Sequence, residues 1–404
     1  MSKLQFLGRG TRTTALVMMI VLALDVLLTS LVLPDNLFGV IETERLARIY
    51  SPLYHHDLAP NREIENARWG ALRYNFSTNS LGFKDRVIRD VPLKSNNRRL
   101  LLIGDSFTEG NGYTFDDTFA GMIDRQLKQS NSHAPGEVLN AAVSSYSPAI
   151  YYRKVRHLLE ERSLSVDAVA VFIDISDIDD EARRVRLNVV GNVVSRGINA
   201  GDAAVQKATL LIRSALKQYS SVYRLFSALN RQRKATLTHA NTCQRALAKA
   251  NPEDDHLSAK FFLAELANPR SQWTWNPTLM KAWGERGLDQ SGQNMTRLHN
   301  FLDARGIPLI VVVYPWPEQI LRQETDRPQV EYWRQWAADH DVDFLDLYPT
   351  FLNGGEPLSV YRRYFVPCDV HWNREGHSLI AERFMAFFRS LDLKAFPADS
   401  FAPR

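Results

Sequence analysis

Cysteine is nearly missing from this chain, with two in 404 residues, Cys243 and Cys368. That is too few for a disulfide scaffold and wrongly spaced for a zinc site, so no metal is implied. In an oxidising compartment the two could pair, but sequence alone does not set the distance between them. A strong charge of one sign is also missing: 49 Lys and Arg stand against 45 Asp and Glu, a net charge of +4. No basic run is interleaved with aromatics, which argues against a nucleic-acid partner. There is no internal repeat and no low-complexity tract, so solenoids and disordered arrays are excluded. What is present is ordinary for a globular chain, 45% hydrophobic and 23% charged residues, long enough for one large core with appendages.

One long apolar run occurs, Ala15 to Leu33, interrupted only by Asp25. Its length suits a helix that crosses the hydrocarbon core. Lys3, Arg9 and Arg12 precede it, while Asp35, Glu42 and Glu44 mix with Arg45 and Arg48 after it, so the positive-inside bias puts residues 1–13 in the cytoplasm, 14–34 in the membrane and the rest outside. The alternative is a cleaved signal peptide. Against it, the run exceeds a usual h-region and no Ala-x-Ala site follows before Pro34. Asp25 costs about 2.5–3.5 kcal/mol near mid-bilayer; its apolar neighbours offset that cost, or a partner membrane protein supplies a helix for it.

Residues 35–97 read as an extension in which Arg68 to Phe83 alternates enough for a hairpin or two. Buried strands are expected at Leu100–Ile103, Val138–Asn140, Ala168–Ile173, Leu309–Val313 and Val342–Leu345, with helices near Phe119–Leu127, through about Arg162, Asn294–Ala304, Val330–His340 and Glu375–Leu391. Strands alternating with helices predict an α/β fold, a three-layer α/β/α sandwich on a five-stranded parallel sheet. Between the third and fourth strands, about 183–287 reads as a polar, partly helical insertion that includes Ala203–Tyr223, Lys234–Ala250 and Trp273-Thr-Trp275. Asp174 to Glu181 reads as a solvated acidic loop and helix start.

Two segments carry chemistry. Arg99 to Gly110 (RLLLIGDSFTEG) is an apolar strand that stops at a small-acidic-hydroxyl triplet, which puts Ser106 at a strand's carboxyl end, where open α/β sheets bind ligands. The plainer reading is a turn serine that caps the next helix. Far downstream, Cys368 to His377 (CDVHWNREGH) supplies an acid and an imidazole two residues apart. A serine hydroxyl needs a base and a group to orient that base, roles that Ser106, His371 and Asp369 fit. Asp369 reaches the ring if this loop is extended, since i and i+2 side chains then share a face. His377 is the rival base, placed by its position in the last helix as a packing or capping residue.

Together the two segments resemble the SGNH (GDSL-like) hydrolase family over about residues 98–391, with 392–404 as a tail. The resemblance implies a flavodoxin-like sheet, Ser106 as nucleophile, His371 as base and Asp369 as its acid, without metal or organic cofactor. It also implies an oxyanion hole from the Ser106 N–H, a second-block glycine N–H and a third-block asparagine. Asn140 to Ser145 aligned on the second block puts Ser145 at the glycine; Asp174 to Asp177 aligned on Gly-x-Asn-Asp puts Ser176 at the asparagine. Asn79-Ser-Leu-Gly-Phe-Lys84 resembles an element found ahead of the first block in bacterial membrane-anchored relatives, although a tight turn is the favoured explanation of it. Asn79, Trp316 and Trp372 are the substrate-binding candidates, and the tryptophans, with Trp273 and Trp275, suit either a sugar platform or a core. The expected function is a serine esterase of the inner membrane, facing the periplasm, that acts on acylated carbohydrate, mainly O-acetyl esters. The alternatives are a polysaccharide O-acetyltransferase that uses the same acyl-enzyme, and a non-catalytic envelope assembly protein on the same fold.

Overall fold

The computed structural model describes residues 9–32, 47–129, 135–196, 203–235, 243, 259–393 and 395–396. Most of the helical stretch expected over Lys234–Ala250, the extreme amino terminus and most of the carboxyl tail lie outside the described residues. Five strands form the central sheet: β1 (Arg98–Gly104), β2 (Gly136–Asn140), β3 (Ala168–Ile173), β4 (Leu309–Val313) and β5 (Asp343–Asp346). All four pairings are parallel and the spatial order is β5-β4-β3-β1-β2. Every residue of β3 and β4 is buried, which explains their unbroken apolar sequences, since a strand covered on both faces has no solvent side to alternate with.

Helices α2 (Phe119–Lys128), α3 (Pro148–Arg156), α4 (Glu285–Asp303), α5 (Pro328–Asp339) and α6 (Arg374–Ser390) complete the three layers, and α1 (Arg9–Leu31) precedes them. α2 and α6 pack on each other, as do α3 and α4. Right-handed crossovers place the first pair on one face of the sheet and α3, α4 and α5 on the other. α4 touches α5 closely enough that a Cβ on Gly292 would lie 2.1 Å from the Tyr332 hydroxyl. α1 is apolar over Thr13–Leu31, long enough to cross a membrane.

Two expectations are corrected. The extension holds more strand than the one stretch suggested: Arg48–Ser51 pairs with His55–Leu58, and Glu63–Trp69, Leu72–Thr78 and Lys84–Asp85 form a second antiparallel sheet. The acidic run is not solvated, because Asp179, Asp180 and Glu181 are buried. Each has found a partner there: Arg183 and Arg270 pair with the two aspartates, while Glu181 accepts from the Ser147 hydroxyl at 2.6 Å and the Ala149 N–H at 2.7 Å, at the start of α3.

Because β2 lies on one side of β1 and β3 on the other, the chain reverses direction across the sheet between β1 and β3. Their carboxyl ends lie at the switch point, where sheets of this kind bind ligands. Ser106 follows β1 directly, and the Asp174–Asp177 segment follows β3.

Candidate active site

The turn after β1 is built for close approach. A Cβ on Gly104 would lie 2.3 Å from Thr108 Oγ1 and 2.9 Å from the Phe172 carbonyl oxygen, so only glycine fits at this strand end. Asp105, not Ser106, caps the short helix Ser106–Glu109 that follows, accepting from the Phe107 N–H at 3.0 Å. The capping reading of Ser106 is thereby corrected: its neighbour does that work, and its hydroxyl faces elsewhere. Gly110 ends the helix at φ 74°, in the left-handed region that glycine enters without strain.

The structure brings Ser106, His371 and Asp369 together. Ser106 Oγ lies 2.8 Å from His371 Nε2, and His371 Nδ1 lies 2.5 Å from Asp369 Oδ1. With Nδ1–H given to the carboxylate, Nε2 is left as the acceptor for the serine hydrogen. The acid reaches the ring by a route different from the extended loop expected. Asp369 N donates to the Val366 carbonyl in a turn, and Asp369 Oδ1 also accepts the His371 N–H at 3.0 Å. An aspartate that hydrogen-bonds its own backbone two residues on makes such a turn, and this fold of the chain lets a two-residue spacing suffice. The Trp69 indole N–H donates to Asp369 Oδ2 at 3.3 Å, and its ring meets the imidazole edge to face. Phe107 covers the imidazole from another side, 4.7 Å between centroids.

Burial disfavours the charged imidazole, but the Asp369 carboxylate and its hydrogen bond outweigh that and hold His371 above its ordinary value. Asp369 is correspondingly held low: its burial works against ionisation and the imidazolium prevails. Beneath this chain sits a second acidic group. Asp105, Asp174 and Asp177 are buried, with one oxygen of each within 4.8 Å of the others. Burial, and then the charge of Asp174, push Asp105 up to about 7. Asp105 Oδ2 also lies 3.0 Å from Ser106 Oγ. A hydroxyl carries a single hydrogen, so the two contacts of Ser106 are both made when a protonated Asp105 donates to Oγ and Oγ donates to His371. Among the described residues these three aspartates are the group that could hold a cation. Protein donors already occupy much of it: Trp316 Nε1 and the Ser176 N–H reach Asp174 at 2.7 Å, and the Tyr151 hydroxyl reaches Asp177 at 2.6 Å.

Ser145 is exposed at φ 63°, the left-handed conformation that a glycine would take freely. A buried network fixes its loop. Glu109 accepts from Arg48 at 3.0 Å and from the Ser144 N–H at 2.6 Å, and Asn111 Nδ2 reaches the Ser144 hydroxyl at 2.7 Å. Ser176 is buried, and Arg270 of the insertion donates to its carbonyl at 3.3 Å.

The substrate-binding candidates are corrected. Asn79, Trp316 and Trp372 are all buried. Asn79 Oδ1 accepts the Leu81 and Phe83 N–H groups and its amide meets Asp85, which is the tight turn. Its effect on the site is indirect, since Lys84 at the end of that turn donates to the Gly110 carbonyl at 2.5 Å. Trp316 is held by Asp174, and Trp372 lies among Phe107, Phe119 and Tyr314, so neither offers a face to a sugar. Trp273 is equally buried and donates to the Ile175 carbonyl. His377 is buried, accepts from the Phe119 N–H at 3.3 Å, and is pushed down to about 3 by burial and by Lys84. That makes it a neutral cap of α2 rather than a base.

Sequence reasoning missed Trp69, Asp105, Glu109 and Arg48. The Glu in Gly-Asp-Ser-Phe-Thr-Glu-Gly was the one available signal, an acid set between apolar strand and amphipathic helix. Cys243 and Cys368 are joined, with Cα atoms 5.8 Å apart, so the insertion is tied to the residue just before Asp369.

No protein-family model and no curated protein matches this chain. Among solved structures it is similar to an acetylxylan esterase from Geobacillus stearothermophilus, at 12% identity and TM-score 0.38 over 73% of this chain and 96% of that one. It is similar to a lipolytic protein of the G-D-S-L family from Desulfitobacterium hafniense, at 13% identity and TM-score 0.35 over 72% of this chain and 99% of that one. A member of the lipolytic G-D-S-L family from Veillonella parvula is similar at 11% identity and TM-score 0.35, over 73% of this chain and 100% of that one.

Proposed function

We propose that this chain is a membrane-anchored serine esterase that cleaves acyl esters, chiefly O-acetyl groups on envelope or exported carbohydrate. The observation that carries the reading is the chain of contacts from Ser106 Oγ to His371 Nε2 and from His371 Nδ1 to Asp369. His371 takes the serine proton as Oγ attacks the acyl carbonyl, then returns it to the leaving sugar oxygen, and water repeats the cycle on the acyl-enzyme. Asp369 keeps Nδ1 protonated and stabilises the imidazolium between those events. The Ser106 and Ser145 N–H groups serve as donors to the developing oxyanion. The carbohydrate substrate is inferred from location alone, with α1 read as a membrane anchor and the domain outside the cytoplasm.

The test is covalent. The full chain in detergent, treated with a fluorophosphonate, is expected to gain one adduct on the peptide that contains Ser106 and none in Ser106→Ala. An unlabelled wild-type protein that is folded would overturn the esterase reading.

A second reading, transfer of the acyl group to a sugar hydroxyl, is favoured by one feature, the serine at 176 where a carboxamide donor would help water attack. Loss of one such donor costs about 2.7–4 kcal/mol, and a bound acceptor recovers part of it by positioning. Acyl-sugar formed in excess over free acid when an oligosaccharide is added would support transfer, and free acid alone would exclude it.

A further inference from the structure

Although α1 is exposed along most of its length, Asp25 and Thr29, one turn apart on it, are 9% and 7% exposed. Their cover comes from the insertion. Two helices, Ala203–Tyr219 and Ser221–Ala235, meet in a bend at Ser220, and the bend seats on α1. The Ser220 hydroxyl donates to Asp25 Oδ2 and the Thr29 hydroxyl lies 2.9 Å from that of Ser221. The Ser221 N–H reaches Thr29 Oγ1 at 3.0 Å, and the Val222 N–H reaches Asp25 Oδ1 at 3.3 Å. The Tyr223 N–H is taken by Ser220 Oγ at 3.0 Å. The first amides of the second helix have no partner within their own helix, and the two polar side chains of α1 help supply them. The partner expected for Asp25 on another protein is therefore found within this chain.

The depth of this contact matters. Asp25 lies in α1 six residues before its end at Leu31, about 9 Å inside the apolar segment at ~1.5 Å per residue. Where α1 spans a bilayer, whatever bonds Asp25 is below the surface with it. The flanking helices are dressed accordingly: Leu211, Ile212, Tyr219, Val222, Phe226 and Leu229 are 42–68% exposed. Both helices touch α1, whose Leu24, Leu27 and Leu28 are exposed in the same way. The first helix touches both α1 and the strand Arg48–Ser51, so it bridges the span and the globular part.

We propose that this two-helix elbow is a second membrane element, seated in the leaflet that faces the catalytic domain, with acyl chains covering its exposed apolar residues. The inference rests on the reading of α1 as a membrane anchor. The exposed faces continue the lipid-facing side of α1, and the backbone groups freed at the bend are satisfied by protein, as a break in a helix at that depth requires. The elbow fixes the height of the site above the bilayer, because the helix on one side of it reaches the strand that carries Arg48, and Arg48 holds Glu109 at the nucleophile turn.

Both native cysteines are in the disulfide, so single cysteines can be introduced and labelled without reduction. Full-length Phe226→Cys, Leu229→Cys, Met18→Cys and Val189→Cys proteins, labelled with an environment-sensitive fluorophore, are placed in phosphatidylcholine/phosphatidylglycerol vesicles that contain brominated acyl chains. Quenching is expected at 226, 229 and 18, and not at 189, on the fully exposed surface of the domain. Quenching at 18 with none at 226 and 229 would overturn the elbow alone and show another partner, or water, on that face. No quenching at 18 would overturn the anchor reading, and the elbow with it. In Asp25→Leu, which removes the seat, quenching at 226 is expected to be lost while that at 18 stays; unchanged quenching at 226 would overturn Asp25 as its attachment.

Discussion

Replacing Asp369 by Asn tests the proposed site most sharply, because the side chain keeps its shape and loses its charge. In the wild-type protein the carboxylate lies 2.5 Å from His371 Nδ1 and also accepts the His371 backbone N–H. The charge matters when His371 holds the serine proton. Two unit charges about 4 Å apart at an effective dielectric of about 20 interact by roughly 4 kcal/mol, which is about a thousandfold in rate. Asp369 is 28% exposed along its side chain, and solvent screening makes that figure an upper value. The pH profile adds an independent sign. His371 must be neutral to accept the proton, so kcat/KM falls on the acid side as it protonates, with a midpoint above the ordinary 6.5. Asparagine removes the largest influence that raises this value and leaves the burial that lowers it. The acid limb of Asp369→Asn is therefore expected at lower pH than in the wild type, while the plateau drops. Hydrolysis of a chromogenic acetyl ester from pH 5 to 9, with folding checked by circular dichroism, measures both. A plateau within a few-fold of wild type, or an acid limb that does not move, would refute Asp369 as the partner of His371.

Asp105→Asn, whose amide donates to Ser106 Oγ at every pH, is expected to lessen any fall in turnover above about pH 7, where Asp105 ionises and competes for the serine hydrogen; an unchanged alkaline side would count against that competition. His377→Gln is expected to leave the acid limb in place, because His377 caps α2 and stays neutral, and a shifted limb would reopen it as the base. Arg48→Met leaves the buried Glu109 without its cation, which costs on the order of 3 kcal/mol and is expected to lower both the melting temperature and kcat; an unchanged melting temperature would show that the pair is dispensable. Removing the disulfide with Cys243→Ser and Cys368→Ser opens a loop whose ends are 125 positions apart, worth on the order of 4–5 kcal/mol in chain entropy, and a variant that melts as the wild type does would contradict that role.

The sheet was legible because its three inner strands are buried on both faces. Leu100–Ile103, Ala168–Ile173 and Leu309–Val313 are unbroken apolar runs whose ends coincide within a residue or two with the observed strands. Ser106 was legible for a related reason, since it follows such a strand at a turn of small and acidic residues; His371 was legible through the acid two residues before it and the resemblance that pairs the two segments. The supporting residues were not. Trp69 and Arg48 reach the site from antiparallel strands of the extension, and no local pattern relates Trp69 to Asp369 across 300 residues. The tryptophans misled in the other direction: an indole reads alike in sequence whether it covers a sugar or, as Trp316 and Trp372 do, packs in the core against Phe107. The acidic run after β3 failed for the same reason, because the partners that make its burial tolerable lie in the insertion and in α4.

The insertion turns out to be the part of the chain that ties the others together, although its own sequence is the least patterned. Arg270 and Trp273 hold the carbonyls of Ser176 and Ile175, in the third block. Cys243 is bonded to Cys368, beside the acid. The bend at Ser220 is bonded to α1. A rigid parallel sheet fixes Ser106 from one side only, since Asp369 and His371 sit on a turn between Phe365 and Trp372 that no strand of the central sheet contains. Such a turn needs anchoring from outside the sheet if His371 is to stay within reach of Ser106, and the disulfide supplies it from the insertion. Cutting that tie should act on geometry before it acts on affinity. In the cysteine-free variant, at a temperature where it is still folded, kcat for a small acetyl ester is expected to fall while KM changes little, because so small a substrate gains nothing from the insertion in its ground state. A rise in KM with kcat intact would place the insertion in substrate binding and take it out of the support of the acid-base turn.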